Sequence, residues 1–186
     1  MIRLGTFEPK FFNNNGDQGN IEVLKYCLSN AGSKFEVSSE ISTADDFVLV
    51  GDASMAAMRE FAPQLEDLIP TLRARHESDL PTLLVGRAYE FFAPRLEISQ
   101  VLGERTSAFY KAPTNFGEVI GYHNSEVSEP KFYSKGLFIG TTLFGPLLAK
   151  NPRVLTAILE GLGVGSDLEN WQMEYPAEIQ QRTTFG

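Results

Sequence analysis

Few residues in this chain could do chemistry, and their spacing is unusual. The stretch Leu83–Phe92, LLVGRAYEFF, is an apolar run that stops at a glycine and continues as an aromatic, amphipathic segment. That pattern predicts a buried strand turning sharply into a helix. In many α/β enzymes a nucleophile stands on such a turn, above the sheet edge. Here the turn holds Gly86, Arg87 and Ala88, and none of them can attack a carbonyl. The other candidates are scattered. Cys27 is the single cysteine, and His76 and His123 are the two histidines. Ser54 follows a second glycine turn at Gly51 with no histidine placed to activate it, so it reads as a helix N-cap. Cys27 falls beside the apolar stripe of a helix and reads as core. His76 sits in the last turn of a helix and reads as structural. His123, in GYHNSE, is the one histidine expected near the sheet edge, at a strand end or in a loop. Three scattered histidine and cysteine positions make no zinc site, and no metal or cofactor is expected.

The elements that must position these residues alternate. MIRLGTFEP predicts a first strand, followed by the loop KFFNNNGDQGN, rich in Asn and Gly. Asn20 is expected to cap a helix over 21–31, with Ile21, Leu24, Leu28 and Ala31 on its buried face and Gly32 as its stop. KFEVSSE and DDFVLVGDAS predict two more strands. The charged 36–46 stretch reads as solvated surface. A helical region over 54–76 must be interrupted at Pro63 and Pro70. After PTLLVG and the helix AYEFFAPRL, the segments SAFYKA and EVIGYHN predict an antiparallel pair. GLFIGTTL is the last strand, and FGPLLAK leads to a helix with Asn151 as N-cap and Pro152 at its first position. Strands alternating with helices imply a mostly parallel sheet covered on both faces. The strand ends at Gly51, Gly86 and Thr142 should then share the carboxyl edge where such folds bind ligands.

Composition sets broad limits. The chain has 186 residues, 42% hydrophobic and 22% charged, which suits one soluble domain with a proper core. A net charge of −8 disfavours nucleic acid as a partner. No apolar run approaches a membrane span, the N-terminus lacks a secretory leader, and the lone cysteine fits a reducing cytoplasm.

Longer motifs add a resemblance. FFNNNGDQGNIEVL resembles the Asn-x-x-Gly-Asp-x-Gly-Asn signature of a cobyric-acid-synthase-like branch of the class I glutamine amidotransferases. Within that branch the likeness is to glutaminase subunits that pair with a Mur-ligase-like enzyme in lipid II amidation. GTTLFGPLLAKNP is similar to the group's Gly-Thr-x-Leu-His-Gly-Pro-Leu-Leu-x-Lys-Asn-Pro, and GEVIGYHNS to its Gly-Phe/Tyr-Glu-Asn-His segment. The motifs run in family order from about residue 5 to 163. The resemblance implies a flavodoxin-like, three-layer class I glutamine amidotransferase fold over 1–163. The remainder, 164–186, is expected to form a C-terminal extension packed on the same domain, with Trp171 and Tyr175 as anchors.

Such a family uses a cysteine thiolate on the elbow, a histidine as proton shuttle and backbone N–H groups for the oxyanion. Carried over position by position, the family's Cys-Gly-Gly-Tyr-Gln becomes Gly86-Arg87-Ala88-Tyr89-Glu90. The histidine of Leu-His-Gly-Pro becomes Phe144. The Gly-Gly-Gly-Gln-Asp oxyanion loop becomes Gly51-Asp52-Ala53-Ser54-Met55, which places a carboxylate where oxyanion charge would develop. The expectation is therefore a pseudoenzyme, with no glutaminase activity, acting as a regulatory, structural or assembly subunit. Its partner would be another protein, synthetase-like by analogy or a second copy. The alternative is an enzyme or small-molecule binder that reuses the pocket for other chemistry. Contact residues for a ligand or partner would be Arg87, Tyr89, Glu90, His123, Asn13 and Asp17. Arg87 could pair with Asp52 or Glu90 or meet an acidic ligand. The Asn13–Asn20 loop could touch a ligand, and its competing role is a hydrogen-bonded turn that caps a helix.

Overall fold

A computed structural model describes residues 1–165. The expected extension, with Trp171 and Tyr175, falls almost wholly outside the described residues. A six-stranded sheet forms the centre, in the order β2-β1-β3-β4-β8-β7. Its members are β1 (Ile2–Thr6), β2 (Phe35–Ser38), β3 (Phe47–Val50), β4 (Thr82–Val85), β7 (Phe132–Lys135) and β8 (Phe138–Thr141). All neighbours pair parallel except β7, which runs antiparallel to β8 on the edge. The parallel order 2-1-3-4-8 reverses between β1 and β3, as in flavodoxin-like sheets, so the ligand crevice is expected beyond the carboxyl ends of those two strands.

The central strands are short apolar runs because both faces are covered. Leu49, Leu83, Val85 and Ile139 point to one face, against helices α1 (Gly19–Asn30), α6 (Leu147–Lys150) and α7 (Pro152–Gly161). Val48, Val50, Leu84 and Phe138 point to the other. There they meet α2 (Met55–Glu60), α3 (Ala62–Asp67), α4 (Ile69–Glu77) and α5 (Arg87–Phe92). The helical region over 54–76 is thus three helices, with Pro63 and Pro70 near the starts of α3 and α4, where no intrahelical N–H is required. A second sheet, β5-β6-β9, is a long antiparallel hairpin of β5 (Val101–Thr114) and β6 (Gly117–Glu129) joined by the short β9 (Leu143–Phe144). Among the described residues, no helix is long and apolar enough to cross a membrane.

Several local expectations are corrected. GTTL does not continue one strand. The chain leaves β8 after Thr141, and Leu143 and Phe144 pair with His123 and Tyr122 in the other sheet. Asn20 does not cap α1, because the helix starts at Gly19 and Asn20 is buried in its first turn. Its Nδ2 donates to the Asp17 carbonyl at 2.8 Å, and its Oδ1 accepts from the Leu148 N–H at 2.9 Å. Asn151 does occupy the N-cap position of α7, but makes no side-chain cap. Its amide clamps β6 instead, with Oδ1 accepting from Ile120 N–H at 2.7 Å and Nδ2 donating to Ile120 O at 3.0 Å. The 36–46 stretch is not wholly solvated. Asp45 is buried and accepts from the Ser42 N–H, while its backbone carbonyl receives the fully buried Arg75 guanidinium. Ser54 is the N-cap expected of it, accepting from Ala57 N–H at 3.1 Å.

Candidate functional site

The three strand ends at Gly51, Gly86 and Thr142 share one edge of the sheet. β4 ends at Val85, and Gly86 ties the edge together: its N–H donates to Thr141 O at 2.8 Å, and its carbonyl accepts from Glu90 N–H at 2.9 Å, opening α5. Gly86 has φ +57° and ψ −125°. Side-chain-bearing residues rarely adopt this positive φ, and such a strained strand-to-helix turn is the geometry of an elbow.

What surrounds the elbow is the central observation. A Cβ placed on Gly86 would lie 2.5 Å from Asp52 Oδ1 and 2.8 Å from Phe144 Cε1. Positions 52, 86 and 144, remote in sequence, therefore meet at one point. Asp52 is fully buried and its carboxylate is well supplied with donors. Oδ1 accepts from the Arg87 backbone N–H at 2.9 Å. Oδ2 accepts from Asn14 Nδ2 at 3.0 Å and Asn15 Nδ2 at 2.9 Å, with Arg87 Nη1 farther off at 3.5 Å. Arg87 Nη1 also donates to Ala53 O at 3.0 Å, so the guanidinium is held against the loop. At an elbow, the N–H after the nucleophile is the donor that receives an oxyanion. Here a resident carboxylate oxygen already fills that place.

Beneath it lies Asp17. Its Oδ2 accepts from the Asp52 N–H at 3.0 Å, and its Oδ1 is buried without a hydrogen-bond partner. Burial pushes the Asp17 carboxyl up to about 7, with the neighbouring Asp52 carboxylate acting the same way. Lys150 Nζ donates to Phe144 O at 3.2 Å; burial lowers its pKa, opposed by the attraction of Asp17. Gly51 has no room for a side chain, because a Cβ would meet Phe12 O at 2.2 Å.

The remaining residues singled out from the sequence fall elsewhere. Arg87 pairs with Asp52 and not with Glu90, whose Oε1 accepts from Ser125 Oγ on β6 at 2.5 Å. Tyr89 is not a surface contact. It is fully buried, and its ring packs where a Cβ on Gly140 would be 2.3 Å away. Burial pushes its hydroxyl up to about 12. His123 is not at a strand end or in a loop: it is buried within β6, joined through Nδ1 to Thr142 Oγ1 at 2.8 Å, with Nε2 unpartnered. Burial lowers its pKa and favours the neutral ring. Asp17 is likewise inside. Asn13 is exposed and serves its turn, its Oδ1 accepting from Gln18 N–H. Cys27 is buried in α1, and burial raises its thiol pKa, the opposite of what a nucleophile needs. His76 meets Tyr133 Oη at 2.8 Å, and burial lowers its pKa, so a helix-end cation is not favoured there. Asn14 and Asn15 belong to the Asn13–Asn20 loop expected to form a turn or touch a ligand; their amides instead hold the Asp52 carboxylate. Among the described residues, no group of three or more His, Cys, Asp or Glu could hold a metal ion.

The described architecture is a glutamine amidotransferase-like α/β fold with a mostly parallel sheet. The solved structures similar to it include a glutamine amidotransferase from Thermotoga maritima, with a TM-score of 0.52 at 13% identity, over 97% of this chain and 92% of that one. PurLQS from Thermotoga maritima matches with a TM-score of 0.50 at 8% identity, over 87% of this chain and 99% of that one. At such identities the likeness concerns the fold alone. No protein-family model and no curated protein matches the sequence.

Proposed function

We propose that this chain is a glutamine amidotransferase-like protein without glutaminase activity, acting through binding to another protein as a regulatory, structural or assembly subunit. One observation carries the reading: Asp52 Oδ1 accepts the Arg87 N–H at 2.9 Å, against a Gly86 that bears no side chain. An oxyanion arriving there would meet a carboxylate instead of a free donor, and like charges at that spacing repel strongly in a dry site. Phe144 offers no proton acceptor at the position of the family's histidine. A synthetase-like partner follows from the family resemblance, and a second copy is the other choice. The cytoplasm is the compartment we assign, where a lone thiol stays reduced.

The test is ammonia release from glutamine by the purified chain and by Cys27→Ala. No turnover is expected from either. Turnover that persists through purification and in Cys27→Ala would overturn the reading. A second reading, a binder of small molecules, is favoured by a cavity beside Glu90. Thermal shift with glutamine, glutamate and nucleotides separates the two, since a ligand that binds only the folded state raises the unfolding temperature.

A further inference from the structure

A hollow of about 410 Å³ runs along α1, lined among the described residues by Gly19, Glu22, Val23 and Tyr26. The four positions are spaced as one helical stripe, and all of them belong to α1. The surface of a single helix is convex, so a hollow on it needs a second wall from elsewhere in the chain. Val23 packs at the margin of the core, and Tyr26 is 49% exposed. The Glu22 carboxylate meets Lys25 Nζ at 2.9 Å, so its charge is answered within α1. A Cβ on Gly19 would lie 2.7 Å from Pro146 Cγ, which puts the head of the stripe beside the turn into α6. α6 packs against both α1 and α7. It has only four residues, about 6 Å of helix, against about 18 Å for the twelve of α1. It cannot cover the length of the stripe.

The chain itself leads to this place. After α7 it makes a reversing turn, in which Gly163, at φ +72°, donates to Glu160 O at 2.9 Å and the Val164 N–H donates to Leu159 O at 2.9 Å. Val164 is 6% exposed and joins the core cluster that holds Ile21, Leu24 and Leu28 of α1. The chain therefore passes residue 164 on the face of the sheet that α1 covers. Trp171 follows Val164 by seven residues, a reach of up to about 23–25 Å. Two interhelical spacings come to about 16–20 Å, so the length suffices. In the sequence, Trp171, Met173 and Tyr175 alternate with Gln172 and Glu174, the period-two pattern of a segment with one apolar side.

We propose that the C-terminal segment Trp171–Tyr175 docks in this hollow on α1, with its apolar side against Val23 and Tyr26. The second wall is then supplied by the chain's own C-terminal region. Tethering holds the segment at a local concentration on the order of millimolar, which favours it over the same segment of a second copy. A net charge of −8 adds repulsion between copies. On this account α1 is not a free surface for a partner protein, and recognition there requires displacement of the segment.

The test uses the full-length chain, in which Trp171 is the single tryptophan and so the one source of tryptophan fluorescence. Its emission should be blue-shifted from that of the urea-unfolded chain and weakly quenched by acrylamide, at every protein concentration. Tyr26→Asp, at a half-exposed position, should move the emission to the red and raise the quenching toward the unfolded value, while circular dichroism stays native. Met55→Asp, at a position 53% exposed on α2 across the sheet, should leave both unchanged. If Tyr26→Asp does not fold, Met173→Asp serves in its place, read by amide chemical shifts, which should change at Gly19, Val23 and Tyr26. A solvent-exposed Trp171 in the native chain would overturn the docking. So would a buried Trp171 indifferent to Tyr26→Asp, an equal effect of Met55→Asp, or unmoved α1 amides in Met173→Asp. Burial that is lost on dilution would overturn the intrachain route and assign the segment to a second copy.

Discussion

Gly86→Ala is the sharpest probe of the elbow. The substitution adds one carbon at φ +57°, a conformation that side-chain-bearing residues rarely adopt, which costs about 1–3 kcal/mol. The carbon would also sit 2.5 Å from Asp52 Oδ1 and 2.8 Å from Phe144 Cε1. Neither neighbour yields easily, since Asp52 is held by three backbone or amide donors at 3.0 Å or less. Overpacking of this kind adds about 1–3 kcal/mol. Together the variant should lose about 2–6 kcal/mol, which for a chain of this size lowers Tm by roughly 5–20 °C. Urea unfolding followed by circular dichroism measures it. Asp52→Ala should itself cost about 1–3 kcal/mol, because the Arg87 N–H and the Asn14 and Asn15 amides lose their acceptor. Combined with Gly86→Ala, however, it removes the oxygen that the new methyl strikes, so the double variant should be more stable than additivity predicts by about 0.5–3 kcal/mol. A Gly86→Ala protein within about 0.5 kcal/mol of the parent, or strict additivity in the double variant, would refute the geometry assigned to the elbow.

Three other outcomes follow from the same site and its supports. Restoring a thiol with Gly86→Cys should give no glutaminase, because the Arg87 N–H still faces the Asp52 carboxylate; ammonia release checks this. Asp17 makes stability fall with rising pH. Burial raises its folded value from 3.8 to about 7, so the native state keeps a proton that the unfolded chain releases. Its contribution is complete below about pH 4 and is lost as pH rises through about 7, a change of at most about 4 kcal/mol. Asp17→Asn keeps an acceptor for the Asp52 N–H and removes the titration, so its urea midpoint should be flatter than the parent's from pH 4 to 8, with Asp52 and Lys150 the neighbouring charges. Asn151→Ala should cost about 2–4 kcal/mol through lost bonds to the Ile120 N–H and carbonyl. Asn151→Ser separates clamp from cap: a serine serves as an N-cap yet is too short to bridge to β6, so rescue by serine in urea unfolding would contradict the clamp.

The fold was legible where physics is local. Apolar runs ending in glycine marked β3 and β4, the periodic Val154, Leu155, Ile158 and Leu159 marked α7, and Pro63 and Pro70 marked interruptions that turn out to be the starts of α3 and α4. Several misreadings share a cause, a polar group whose partner is distant in sequence. Asn20 and Asn151 carry N-cap chemistry, but Leu148 and Ile120 are 128 and 31 residues away and take their hydrogen bonds. Asp45 looked like surface charge because nothing nearby announces the buried Arg75, 30 residues away, at its carbonyl. Tyr89 sits on the helix that opens the site, yet the helical turn aims it inward over Gly140, whose lack of a side chain makes the space. The break between Thr141 and Leu143 was equally hidden, because an apolar strand run does not say which sheet it joins.

The candidate site was legible as three separate positions and illegible as a contact. Reading the sequence marks Asp52, Gly86 and Phe144 as departures from a family pattern, each of which alone could be drift. The structure joins them: the missing Cβ of Gly86 leaves the space that the Asp52 carboxylate and the Phe144 ring occupy. Asp52 in that space is satisfied by donors from the loop at Asn14 and Asn15 and from the elbow itself. A buried carboxylate without such donors would cost several kcal/mol, so a site decaying at random would be expected to leave orphaned groups or a void. Instead the replacements fit one another, and a side chain restored at Gly86 meets both Asp52 and Phe144. On the function proposed above, the elbow serves as packing and recognition falls on the open surfaces beside it. Binding to those surfaces should therefore survive changes at Gly86 that leave the chain folded, and a partner or peptide whose affinity tracked Gly86 substitutions in folded variants would contradict that separation.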